Sequence, residues 1–297
     1  MGRATGSDGY ITLAVLVIAG LLAASVATLI TVSRPAIDTA RLGADKLAAD
    51  GLVDGGLAAA GYLLFRSERE PSAVDGTTLR FGTGSVRLGV TDEGGRIGLN
   101  IADPELLAGL FGAAGGSSMS PAAFAARIMD WRDEDSEPTE AGAESEEYAS
   151  AELGYGPRNG PFRSPDELRL LIGLSGGDFN RLEPFLTTFS NSGLIDPRSA
   201  PRTVLLAIPG LTRADVERLI EARRAGTRDR EALVGLVEGS TDYFGTEPSG
   251  AYRVVMQARL KAGFSEAAEA VLVAATDETA DFGVVAWTRL APGTRSP

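Results

Sequence analysis

The sequence predicts an α+β fold: a long N-terminal helix packed on an antiparallel sheet, with a large all-helical domain inserted into the sheet. Three observations carry this. An uncharged run from Tyr10 to Ser33 passes directly into an amphipathic helical pattern. Segments of alternating polarity stand at both ends of the rest of the chain. Between them lie helix-period segments punctuated by glycine and proline.

The apolar run opens Ile11-Thr12-Leu13-Ala14-Val15-Leu16-Val17-Ile18 and carries no side-chain charge over residues 10–33. A stretch of ~20 apolar residues crosses a bilayer as a helix, so 10–33 reads as a transmembrane helix. It exceeds the ~7–15 residues of a cleaved signal's apolar core, although Ser25-Val26-Ala27 mimics a cleavage site. An ordinary signal-anchor shares this hydropathy. Three details point elsewhere. The polar leader, residues 1–9, is short and ends in Gly9 directly against the aromatic Tyr10. The apolar run starts at once. Beyond Pro35 the helical pattern continues, with Ile37, Ala40, Ala44, Leu47 and Ala48 on one stripe and Asp38, Arg41, Asp45 and Asp50 off it.

Residues 34–102 are expected to hold that helix and the first strands. Thr78–Phe81 and Ser85–Val90 alternate around Gly82-Thr83-Gly84, a hairpin pattern. Tyr252–Ala258, Ala270–Ala274 and Gly283–Trp287 read as strands within 247–290, which would complete the sheet, with 291–297 a tail. The insertion, 103–246, contains an internal echo. Pro165 to Leu182 and Pro201 to Leu219 both read as helix, glycine turn, helix, with Ser175 and Thr212 placed as N-caps.

Composition excludes several chemistries. Histidine and cysteine are absent, which removes disulfides, thiol nucleophiles, cysteine zinc sites and histidine triads. A net charge of −12 opposes nucleic-acid binding, which needs a basic footprint.

Charge concentrates in one loop. From Asp130 to Glu147 there are nine carboxylates and one arginine. Such a run is normally a solvated or disordered loop. Ordered, it calls for a hard cation, and calcium accepts 6–8 oxygen ligands at flexible geometry. It is not an EF-hand: counted from Asp133, Pro138 stands in the glycine position, and only Glu144 matches at the twelfth. Trp131 and Tyr148 bracket the run as candidate anchors.

A membrane helix running directly into an amphipathic helix resembles the start of type IV pilins and pseudopilins. That resemblance implies cleavage after Gly9 by a prepilin peptidase and methylation of the new N-terminus at Tyr10. It makes Ala14 the fifth mature position, where most pilins carry a glutamate that neutralises a neighbour's terminal amine. The K-type minor pseudopilin of type II secretion lacks this glutamate, as a subunit with nothing above it has no amine to pair. The Gly95-Arg96-Ile97-Gly98-Leu99-Asn100 turn, the acidic loop with Asn159-Gly160-Pro161-Phe162 and Ser164-x-x-Glu167, and the helical pair resemble the same family over most of the chain. Leu194–Pro201 departs from its usual Asn-x-Asn-Thr-Ala-Pro.

The resemblance implies a pilin-like fold and a non-enzymatic minor pseudopilin, GspK in type, at the tip of the type II secretion pseudopilus. That subunit starts pseudopilus assembly and supports protein export across the outer membrane. Its partners would be the I and J minor pseudopilins and the prepilin peptidase. It would be anchored in the inner membrane with its globular part in the periplasm. It implies bound Ca2+, with Asp130, Asp133, Asp135, Glu144 and Glu147 as ligands. The Pro201–Leu219 copy also resembles a helix-hairpin-helix motif, so a membrane-anchored DNA-uptake protein is the alternative. There Gly210-Leu211-Thr212 lacks the second glycine, and Asp215, Glu217 and Glu221 interleave with the arginines.

Overall fold

The computed structural model describes residues 8–190, 192–239, 241–245, 247–275 and 280–291. The first seven residues of the leader, Thr246 and all of the tail after Ala291 lie outside them. Helix α1 runs continuously from Asp8 to Gly61 and ends in a π-helical turn, Tyr62–Arg66. Its first part, Tyr10–Leu29, is long and apolar enough to cross a membrane, and none of it is buried against the rest of the chain. Ile37–Arg66 passes the same test of length and composition, and from Ala48 onward the helix lies on the sheet, whereas Ile37, Ala40, Ala44 and Leu47 of the predicted stripe are exposed. Ala49, Leu52, Val53, Ala60 and Leu64 are buried in that contact against Val86, Leu88, Val254, Met256 and Leu272. Gly56 permits the approach: a Cβ there would stand 3.0 Å from a methyl of Val86.

A short helix α2 (Pro71–Val74) leads to β1 (Thr78–Arg80) and β2 (Gly84–Asp92). Alternation along β2 buries Val86, Leu88 and Val90 toward α1. The chain then leaves the sheet, and returns only at β5 (Ala251–Leu260), followed by β6 (Ser265–Ala274) and β7 (Phe282–Leu290). The five strands are antiparallel throughout, in the order β1-β2-β5-β6-β7. Since Asp92 pairs with Tyr252, the chain departs and returns at neighbouring positions on one end of the sheet. A large insertion can therefore hang from that end without disturbing strand order.

The insertion begins with β3 (Ile97–Gly98) and continues through α3 (Pro104–Ala113), α4 (Pro121–Arg132), α5 (Ser145–Ser150) and α6 (Gly176–Leu182). After β4 (Leu186–Thr187) come α7 (Arg202–Ala207), α8 (Arg213–Arg224) and α9 (Arg230–Val234). These elements share a second hydrophobic core, around Leu107, Phe111, Phe124, Leu168, Leu205 and Leu219.

Two details differ from the sequence reading. The insertion is helical apart from the short strands β3 and β4, which pair in parallel and satisfy each other's backbone groups. In the first half of the internal echo, Pro165–Leu170 is a 3-10 helix rather than an α-helix.

The second helices of the two copies do match. Ser175 Oγ accepts from the Asp178 N–H at 3.0 Å, and Thr212 Oγ1 accepts from the Asp215 N–H at 3.2 Å. In each copy the third-position aspartate is buried and pairs with the arginine three residues on, Arg181 or Arg218. In the second copy Arg218 also donates to the Leu236 carbonyl, and Arg223 to that of Ala200. These arginines are engaged within the domain, as a structural helical pair requires.

Candidate metal site in the acidic loop

Helix α4 fixes one side of the site. Ser120 caps it, accepting from the Ala123 N–H at 3.1 Å, and Phe124, Ile128 and Trp131 point into the core. Trp131 stacks on Phe162, with ring centroids 5.8 Å apart, and lies 6.2 Å from Tyr148 of α5. The aromatics that bracket the acidic run in sequence thus meet in space and close the loop at its base. Burial pushes the Tyr148 phenol up to about 12, and its oxygen accepts from the Ile172 N–H at 3.1 Å. Asn100 and Phe162 exchange two hydrogen bonds, of 3.0 and 2.7 Å, joining the Gly95–Asn100 turn to the Asn159–Phe162 segment.

The five sequence-predicted ligands have different surroundings. Asp130 is fully buried and its carboxylate is already committed to backbone: it accepts from Thr139 N–H at 3.2 Å and from Ala143 N–H at 2.7 Å. It shapes the loop from inside. Gly142 makes this possible, because a Cβ at that position would overlap Asp130 Oδ2. The preceding Ala141 sits at φ +66, a left-handed conformation that carries strain for alanine. Glu147 is also committed, accepting from the Glu144 N–H at 2.8 Å to cap α5.

The structure brings the other three together. One carboxylate oxygen from each of Asp133, Asp135 and Glu144 falls in a group whose members all lie within 4.8 Å of one another. Glu144 is buried, and beyond the backbone N–H groups at the start of α5 its carboxylate oxygens have no hydrogen-bond partner among the described residues. One oxygen of Asp133 is in the same condition. Desolvation raises the Glu144 pKa, reinforced by Asp130, Asp133 and Asp135. Asp133 is raised by burial and by Asp135 and Asp130. Glu144 is the buried member, Asp133 is half-buried, and Asp135 is exposed and accepts from the Glu137 N–H at 2.9 Å; three carboxylates held this close repel one another unless a cation neutralises them. An oxygen-only donor set suits a hard divalent ion. The backbone roles of Asp130 and Glu147, and the need for Gly142, are tertiary facts. The Gly-Ala-Glu segment was their only trace in the sequence.

Residues 98–191 match the family model of type II secretion system (T2SS) protein K. That segment is similar to protein K. It carries the acidic loop and the first half of the internal echo. Two relatives named type II secretion system protein K agree with this. That of Klebsiella pneumoniae is 34% identical over 106 residues, which is 34% of this chain and 32% of the relative. That of Pseudomonas aeruginosa is 33% identical over 107 residues, 35% of this chain and 32% of the relative. The matches thus span about a third of the length of these protein K relatives. The fold extends further. It is similar to a chain in the crystal structure of the GspK-GspI-GspJ complex from the enterotoxigenic Escherichia coli type 2 secretion system, with a TM-score of 0.56 at 15% identity. That match covers 83% of this chain and 94% of the other, so the pilin-like α+β architecture with its insertion is common to both.

Proposed function

We propose that this chain is a minor pseudopilin at the tip of a type II secretion pseudopilus, where it starts assembly and supports protein export across the outer membrane. The observation that carries the reading is a protein K segment inserted at one end of a sheet covered by a helix long enough to anchor in a membrane. The insertion's bulk suits a terminal subunit better than a shaft. Ala14 supports the same position, since a subunit with nothing above it needs no carboxylate in its membrane helix. The related complex contains GspI and GspJ chains, and their counterparts are the expected partners here. No catalytic constellation is needed: the chain acts as scaffold and initiator.

In this reading Tyr10–Leu29 lies in the inner membrane and the globular part in the periplasm. Prepilin peptidase cuts after Gly9, and Tyr10 becomes the methylated N-terminus. Calcium is held by Asp133, Asp135 and Glu144, with Asp130 and Glu147 fixing the loop around them. The ion supplies charge neutralisation and rigidity to the insertion, a structural role. A DNA-uptake role gains no support from the hairpin, whose Arg218 and Arg223 are bonded within the domain.

Mass spectrometry of the protein extracted from membranes, made with and without prepilin peptidase, tests the reading. A peptidase-dependent N-methyl-Tyr10 terminus, with co-purification of I-type and J-type pseudopilins, is the expected result. An intact leader in both cells would overturn it.

A further inference from the structure

The face of the sheet turned away from α1 carries a basic cluster. Leu79, Val86 and Ala258 stand in register across β1, β2 and β5 and pack toward α1. The neighbouring row, Arg80, Ser85 and Arg259, therefore points to the other face, because side chains alternate along a strand. Arg87 lies on that face too, two residues beyond Ser85 and opposite Thr78. With strands ~4.8 Å apart, the backbones of Arg80 and Arg259 flank Ser85 within roughly 10 Å of each other.

All three arginines are exposed, and none forms an ion pair with another described residue. Elsewhere this acidic chain commonly pairs its arginines, as Arg158 with Glu167 and Arg289 with Asp50. Asp75 and Glu269, carboxylates on the same side of the sheet, are both engaged. Asp75 lines a cavity of about 190 Å³ with Arg87 but accepts from the Val90 N–H at 2.9 Å, and Glu269 is held by Arg253. Lys261, exposed at the β5–β6 turn, adds a fourth cation at the adjacent end of the sheet. Like charges held together on a rigid ladder repel one another, and an anionic partner relieves that repulsion.

The position of the cluster selects the kind of anion. Helix α1 leaves the sheet beside it, since a Cβ at Gly84 would stand 2.9 Å from Leu52 Cδ1. Between Leu29, where the apolar span ends, and Leu52 the helix rises roughly 35 Å. With that span in a bilayer, the arginines stand several Debye lengths, of about 8 Å each, from the lipid head groups. A protein standing alongside α1 meets them directly. We propose that this sheet face is a docking surface for an acidic segment of another protein, whose aspartates and glutamates pair with Arg80, Arg87 and Arg259. Guanidinium forks match carboxylates two oxygens at a time, and the strand ladder sets the spacing at which they are offered.

Fluorescence anisotropy of a labelled hexaglutamate peptide, titrated with the full chain in nonionic detergent, tests this. Binding is expected at about 50 mM salt and is lost toward about 500 mM, while a hexaglutamine peptide does not bind. Arg80→Glu, Arg87→Glu and Arg259→Glu are each expected to weaken binding about fivefold, since each removes an attraction and adds a repulsion. Arg213→Glu makes the same charge change at an exposed position on α8 and is expected to stay within about twofold of the parent. The three sheet variants are independent, so one that folds poorly leaves two to decide. No binding at about 0.2 mM protein, or an equal loss in Arg213→Glu, would overturn the proposal. So would tighter binding of a heptathymidylate of equal charge, which marks a nucleic-acid surface, or displacement of the peptide by phosphatidylglycerol added to the micelles, which marks a lipid one. Neither prepilin peptidase nor another pseudopilin enters the assay, so its failure leaves the pseudopilin reading standing.

Discussion

Arg253 on β5 donates through Nε to Glu93 at 2.7 Å, across the point where the chain leaves the sheet for the insertion. Glu93 is fully buried and also accepts from Thr187 of β4, and Arg96 lies 3.6 Å away. Arg253 reaches on to Glu269 of β6. The sheet, the start of the insertion and its small parallel pair thus share one ion network. Glu93→Ala leaves Arg253 and Arg96 without their shared carboxylate, and is expected to lower stability by about 3 kcal/mol. Urea unfolding of the full chain in detergent checks this. A loss confined to the first unfolding transition would show that the network docks the insertion rather than holding the sheet.

Glu144 and Glu147 are three residues apart and have different roles. Calcium is expected to raise the Tm of the full chain, by the equivalent of about 2.7 kcal/mol at a hundredfold excess over Kd. Glu144→Gln should abolish that shift. Glu147→Gln keeps an acceptor for the Glu144 N–H and should preserve both the α5 cap and the shift. Differential scanning fluorimetry with calcium and with chelator separates the two.

The loop backbone makes its own prediction. Ala141→Gly relieves a left-handed alanine, at a gain of up to about 1 kcal/mol. Gly142→Ala drives a methyl into Asp130, and is expected to destabilise the insertion and weaken the calcium response together. Thermal unfolding of the two variants should move in opposite directions.

Asp178 accepts from the N–H groups of Ser118 at 2.7 Å and Ser117 at 3.1 Å, and pairs with Arg181 at 2.7 Å. A side-chain bond from Ser118 and these contacts, outweighing burial, hold its pKa far below the ordinary 3.8. The folded value is depressed, so the stabilisation is present above 3.8 and lost as pH falls from there toward the folded value. Asp178→Asn is expected to be less stable than the parent near neutrality and to flatten the stability loss below about pH 4. Parallel slopes for both proteins in acid would show that other carboxylates govern that range.

Much of this architecture was legible in one dimension. Alternation marked both arms of the sheet, because a strand buried on one face repeats every two residues. The uncharged run and the stripe beyond it marked one continuous helix. Ser175 and Thr212 announced caps, because capping depends on residues within a single turn. Absent histidine and cysteine bounded the chemistry before any coordinates.

What depended on distance in sequence was decided only in three dimensions. Asp92 beside Tyr252, Glu93 beneath Arg253 and Arg223 on the Ala200 carbonyl each join residues that no local pattern connects. The acidic loop shows the division most clearly. Composition called for a cation there, but could not say which of its carboxylates would be occupied. Hydrogen bonds from Thr139, Ala143 and Glu144 claimed Asp130 and Glu147, and left Asp133, Asp135 and Glu144 facing one another. A carboxylate's charge is fixed by its identity, whereas its partners are fixed by the packing that brings donors to it.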